Sequence, residues 1–259
     1  MKTLKFLSVL LLTAMLLASC VTNSFYQVYK ATPSDTTLLK DNLLVYEDQN
    51  CEVFYNLWDE GGNIGFRFYN KSNENIYLNL EESFYVLNGM AYNYYKNRTY
   101  TNSTSSGATN PQLNNRYPVN IITNQVYSVS FNEEKIVCIP PKTSKVISEY
   151  TINKSLIRDC DLYKYPTKRK IKTKSFTQEN SPLIFSNKIA YTIGQSKNLI
   201  RFENQFYISE ITNYPDGEVL ESKGEEFCGE STGAILTYLN NASADKFYIR
   251  YLKVDNAKH

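Results

Sequence analysis

The sequence predicts an all-β chain, an immunoglobulin-like β-sandwich of antiparallel strands with a long polar loop, preceded by a signal peptide and tether. Three observations lead there. Tyrosine is abundant, with 22 residues against one tryptophan and one histidine, and tyrosine favours the pleated, half-buried surface of a strand. Apolar residues alternate with polar ones over short runs. Asn-Gly, Asp-Gly and Gly-Gly pairs punctuate those runs, which is hairpin chemistry.

At the N-terminus, Met1 to Lys5 is short and basic, and Phe6 to Leu17 is apolar apart from Ser8 and Thr13. Leu17-Ala18-Ser19-Cys20 follows. Charge, apolar core and small residues are the three parts of an export signal. The apolar run is shorter than the roughly 20 residues that a bilayer-spanning helix needs. Residues 1–19 are therefore expected to be a signal peptide, 20–41 an anchor and tether, and 42–259 the folded domain. The segment from Val21 to Asp41 is polar, contains Pro33 and lacks clear periodicity.

In the domain, Cys51 to Trp58 and Asn63 to Asn70 are predicted strands joined by Asp59-Glu60-Gly61-Gly62. Ile64, Phe66 and Phe68 fall on one face of the second, and Ile76, Leu78 and Leu80 repeat the pattern. Ser83 to Leu87 and Met90 to Tyr95 flank Asn88-Gly89, the strongest short hairpin signal in the chain. Residues 97–115 are rich in Asn, Ser and Thr and predict a long surface loop. Lys135 to Ile139 and Thr143 to Ile152 predict an edge strand and its continuation across Pro140-Pro141. Lys188 to Ile193, Gln205 to Thr212 and Lys246 to Val254 predict further strands. Asp216-Gly217 marks another hairpin turn, and Ser231 to Asn240 suits either helix or strand.

The net charge of +2 equals the two lysines of the signal, Lys2 and Lys5. A balanced domain has no electrostatic footprint for nucleic acid, so no nucleic-acid partner is expected. The one histidine, His259, is the last residue and a poor place for a catalytic base. No phosphate-binding loop, dinucleotide fingerprint or Cys-x-x-Cys occurs. No cofactor or metal is assigned. Catalysis would be left to paired carboxylates, with Asp59, Glu60, Glu81, Glu82, Asp159, Asp161, Glu225 and Glu226 as candidates. Cys51, Cys138, Cys160 and Cys228 are either buried thiols or members of disulfides whose pairing sequence alone does not fix.

Two surface features stand out. Lys168, Lys170, Lys172 and Lys174 alternate, so an extended chain places them on one face. They would contact an anionic surface, or protect a sheet edge from pairing. Tyr92, Tyr94, Tyr95 and Tyr100 border the polar loop and would offer aromatic faces to a glycan or protein.

Leu-Ala-Ser-Cys resembles the lipobox of bacterial lipoproteins. The resemblance implies cleavage before Cys20, diacylglycerol on its sulfur and an acyl chain on its new amine. Several chains hold a protein stably on a membrane where one does not. With its Tyr/Asn-rich strands, the chain resembles lipoproteins of Bacteroidetes, which implies an outer-membrane anchor in the cell envelope. Val21 to Phe25 lacks the acids that surface-exposed members carry, which leans toward the periplasm. The expectation is a lipid-anchored, non-enzymatic binding or structural module for a protein or glycan partner. A second reading is a hydrolase of polysaccharide or peptidoglycan that acts through two carboxylates.

Overall fold

Alternating burial organises the strands as the sequence predicts. Ile64, Phe66 and Phe68 are each at most 1% exposed, while Arg67 between the two phenylalanines faces out. Ile76, Leu78 and Leu80 are buried in the same way. The computed structural model describes residues 24–34, 37–112 and 119–253.

In chain order the strands are β1 (Ser24–Pro33), β2 (Leu38–Lys40), β3 (Leu43–Glu47), β4 (Cys51–Tyr55), β5 (Phe66–Asn70) and β6 (Ile76–Asn79). Then come β7 (Phe84–Leu87), β8 (Met90–Asn93), β9 (Thr99–Gln112), β10 (Val119–Asn132), β11 (Ile136–Ile139) and β12 (Ser144–Ile147). The last are β13 (Thr173–Ser175), β14 (Ile184–Ile193), β15 (Ile200–Pro215), β16 (Leu220–Phe227), β17 (Glu230–Leu239) and β18 (Lys246–Leu252). A one-turn helix, α1 (Asp216–Val219), separates β15 from β16.

Two antiparallel sheets make the sandwich. One is nine-stranded with the main order β11-β6-β14-β15-β1-β18, and β7, β8 and β13 lie along its flank. The other is five-stranded in the order β12-β5-β4-β3-β2. Their inner faces share one core, in which Tyr55, Phe66 and Phe68 meet Tyr29, Phe185, Tyr191, Phe206 and Phe247. Tyr29 and Phe247 stack with centroids 4.6 Å apart, and Tyr55 meets Phe206 edge-on at 5.4 Å. Burial of each such ring contributes about 1.5–3 kcal/mol. A core built of tyrosines must also satisfy their hydroxyls. Tyr55 donates to Asn204 at 2.7 Å, and Tyr191 donates to Asp48 at 2.9 Å.

Asn88 and Gly89, with φ of 46° and 82°, close the β7–β8 hairpin as a type I′ turn demands. Other expectations need correction. Ser24 to Pro33 of the expected tether is instead a core strand, because β1 lies between β15 and β18. Its alternation is hidden because both faces are covered. Tyr29 and Ala31 enter the main core, while Tyr26 and Val28 pack with Val219 under the base of the β16–β17 hairpin. Gln27 is buried among them, and its amide donates to the Ile157 carbonyl and to Asn213 Oδ1, both at 2.9 Å.

Most of the predicted loop over 97–115 is strand. β9 and β10 pair antiparallel from Thr99↔Asn132 to Gln112↔Val119 as a ribbon separate from both sheets. Pro140-Pro141 does not extend an edge strand within one sheet. It carries the chain from β11 at the edge of the larger sheet to β12 at the edge of the smaller one. Asp216-Gly217 opens α1 and is not a two-residue hairpin turn. Ser231 to Leu239 is extended within β17.

Candidate functional site

The β7–β8 hairpin brings Tyr85 opposite Tyr92, and the chain then turns toward the foot of the β9–β10 ribbon. The four tyrosines expected to form a contact surface do not act together. Tyr94 is buried, donates its hydroxyl proton to Asn187 Oδ1 at 2.7 Å and meets Phe66 edge-on at 5.8 Å. It is a core residue and offers no ligand contact. Tyr92 is 37% exposed and packs on Tyr85 and Tyr150. Tyr95 is half-buried and donates to Asn97 Oδ1 at 2.7 Å. Tyr100 is exposed on β9 and stacks on exposed Phe131 of β10 at 5.3 Å.

An ion network fastens the foot of this ribbon. Arg98 reaches Glu149 through Nη1 at 2.8 Å and Nη2 at 3.0 Å, and Glu133 through Nε at 3.1 Å. Lys96 adds a 2.7 Å contact to Glu149, and its backbone N–H donates to Glu133 at 2.8 Å. Burial alone raises both carboxyls. Hydrogen bonds from Arg98, joined by backbone N–H groups at Glu133 and by the Lys96 ammonium at Glu149, outweigh it and hold both below the usual carboxylate range. A depression about 430 Å³ in volume lies beside them, lined by Tyr100, Phe131, Arg98, Glu149 and Val146.

The lysine run does not form one extended face. Thr167 bridges Lys170 in a tight turn, closed by Lys170 N–H donating to the Thr167 carbonyl at 2.8 Å. Only Thr173 to Ser175 is strand, paired to β15. Lys174 lies 2.6 Å from Asp159 and 3.2 Å from Asp161, and Lys172 lies 3.6 Å from Asp161. Lys168 lies 3.2 Å from Glu218 but is 83% exposed, and Lys170 is exposed. The four lysines thus divide between a structural ion cluster on β13 and an open turn.

The β16–β17 ribbon was not foreseen as a surface feature. It exposes Phe227, Ile235 and Tyr238, at 73%, 75% and 49%. Its tip is Cys228-Gly229, with φ of 54° and 85°. The sequence marks this tip weakly, because Cys228, unlike Asn88, has no preference for positive φ and Gly229 alone supplies the turn signal.

Of the two readings of the cysteines, free thiols are what the structure holds, but only Cys51 is buried, while Cys138, Cys160 and Cys228 are exposed. Cys51 is buried on β4, and burial pushes its thiol up, which makes it unreactive. The lipid-bearing Cys20 of the sequence reading lies outside the described residues, as does His259.

No protein family, curated protein or solved structure matches the chain. Surface chemistry therefore carries the functional argument. Among the described residues, no group of His, Cys, Asp and Glu is placed to hold a metal ion. Among them also, no helix is long and apolar enough to cross a membrane.

Proposed function

We propose that the chain is a lipid-anchored protein of the bacterial cell envelope, and that its sandwich is a non-enzymatic module for a protein partner. The anchor rests on the lipobox-like Leu17-Ala18-Ser19-Cys20. The observation that carries the binding role is the β16–β17 ribbon. A two-stranded hairpin is marginal in water on its own. This one holds Phe227 and Ile235 at 73% and 75% exposure, where they contribute nothing to the core. Exposed apolar groups gathered on one strand pair suit a protein contact. A glycan role has less support, since Tyr94 is withdrawn into the core.

Hydrolysis by two carboxylates is the weaker reading. A glycosidase needs one acid that stays protonated near neutral pH. The carboxyls with shifted acidity, Glu47, Glu133, Glu149 and Asp159, are all displaced the other way by lysine or arginine.

The test is cross-linking in intact cells with wild-type protein and the double variant Phe227→Ser/Ile235→Ser. A discrete adduct with wild type, lost in the variant, is expected. Both substitutions are at exposed positions, so the unfolding free energy should stay within about 0.5 kcal/mol of wild type for each. An unchanged adduct pattern in a stably folded variant would remove the ribbon as the binding element.

A further inference from the structure

We infer that the end of the sandwich where β1 begins lies flat against the anionic phospholipid surface that holds the Cys20 lipid. The inference rests on the anchor reading and adds to it an orientation and a set of contacting residues. Only Val21, Thr22 and Asn23 separate Cys20 from Ser24. At full extension the Cα atoms of Cys20 and Ser24 are at most about 14 Å apart. Because β1 is a core strand and not a tether, that short reach fixes the whole domain close to the bilayer.

The residues around Ser24 suit that position. Ser24 pairs with Leu252, and Phe25 with Tyr251, at the end of β18. Phe25 lies 5.2 Å from the Tyr165 ring and 5.5 Å from Tyr251. The Tyr251 hydroxyl donates to the Lys164 carbonyl at 2.6 Å, which ties the loop before β13 to this corner. Two ammonium groups from different parts of the chain converge on one ring: Lys164 Nζ is 4.9 Å and Lys253 Nζ 6.0 Å from the Tyr165 centroid. Tyr163 beside them is 50% exposed.

The open turn of the lysine run belongs to the same end. Lys168 reaches Glu218 of α1 at 3.2 Å, and α1 touches β1 through the Ser24 hydroxyl, which donates to Asp216 at 3.3 Å. Arg169 and Lys170 continue the turn in exposed positions. Asp159, paired with Lys174, joins Asp216 and Glu218 as acids at this corner, against Lys164, Lys168, Arg169, Lys170 and Lys253. The surplus is positive on a domain whose charges balance as a whole. Lysines with tyrosines are the side chains that settle at a headgroup layer, with the ring at the boundary and the ammonium toward phosphate. Screening over about 10 Å weakens such attraction when a domain is free to drift, and the short link removes that freedom.

The test uses the full chain, lipidated in a bacterial host. It is purified in detergent, then returned to vesicles of phosphatidylglycerol and phosphatidylethanolamine or of phosphatidylcholine alone. Amine acylation is read lysine by lysine by peptide mass spectrometry, with exposed Lys40 and Lys145 of the five-stranded sheet as internal references. Lys164, Lys168 and Lys253 should react about fivefold more slowly on anionic vesicles than in detergent, relative to the references. Raising salt to about 0.5 M should largely remove the difference, as should phosphatidylcholine vesicles. In the variant Lys164→Gln/Lys253→Gln, with Cys20 still lipidated, the protection of Lys168 should fall. Equal reactivity of these lysines and the references on anionic vesicles, with lipid confirmed on Cys20, overturns the orientation and leaves the anchor standing. A Cys20 peptide without lipid overturns the anchor, and the orientation with it.

Discussion

Tyr94 and Asn187 are joined in the core by a hydrogen bond of 2.7 Å from the phenol to the amide oxygen. Asn187 also donates to the Ile64 carbonyl at 2.9 Å, so the pair links β14 to the segment that leads into β5 of the smaller sheet. Tyr94→Phe would leave a buried amide oxygen without its donor and should cost about 1–3 kcal/mol. Tyr85 provides the control. Its hydroxyl is buried with no hydrogen-bond partner among the described residues. Tyr85→Phe removes a polar group that burial already penalises, and should be neutral or stabilising. Chemical denaturation of both variants separates the two cases.

The Arg98 network makes the foot of the β9–β10 ribbon sensitive to acid. Glu133 and Glu149 have folded-state pKa values below the usual carboxylate range. Their charged forms therefore add stability that is complete above the unfolded value of about 4.3 and lost as pH falls through the depressed folded values. Hydrogen exchange at Thr99 and Thr101, measured against each amide's intrinsic rate at the same pH, should be slow near neutral pH and accelerate below about pH 4. Arg98→Ala should accelerate it at neutral pH by about tenfold. Exchange that is unchanged in both experiments would show that the ribbon is not fastened here.

Gly62 sits where the turn after β4 meets the core. Its φ is +79°, and an added Cβ would lie 2.8 Å from both Ile152 Cδ1 and Phe247 Cγ. Gly62→Ala combines a left-handed backbone penalty with overpacking and should cost roughly 2–4 kcal/mol. Gly217→Ala, where the added carbon meets nothing within 4 Å, is the matched control. Thermal unfolding of the two variants checks the difference.

The parts of the fold that were legible in the sequence are those with one wet face. Phe66 and Phe68 alternate with exposed or half-buried neighbours because β5 lies in a sheet covered on one side. β1 was illegible because the base of the β16–β17 ribbon covers its second face, and because buried Gln27 looks polar on paper. β9 and β10 were illegible for the opposite reason. Among the described residues they pair with each other and with no other strand, and the Ser/Thr/Asn-rich sequence of β9 carries no apolar period. The tyrosines failed on a local detail. Strand alternation would put Tyr92 and Tyr94 on one face, but β8 ends at Asn93 and the turn that follows drops Tyr94 into the core. The lysine run failed because the turn at Thr167 to Lys170 breaks the extended geometry that its alternation assumed.

The most direct test of the account is the mass of the N-terminal peptide of the protein extracted from membranes of a bacterial host. The account predicts a chain that begins at Cys20 and carries diacylglycerol on sulfur and an acyl chain on the amine. It also predicts that Cys20→Ala leaves the chain uncut. A membrane-extracted chain cut elsewhere, or beginning at Cys20 with a bare thiol, would contradict it.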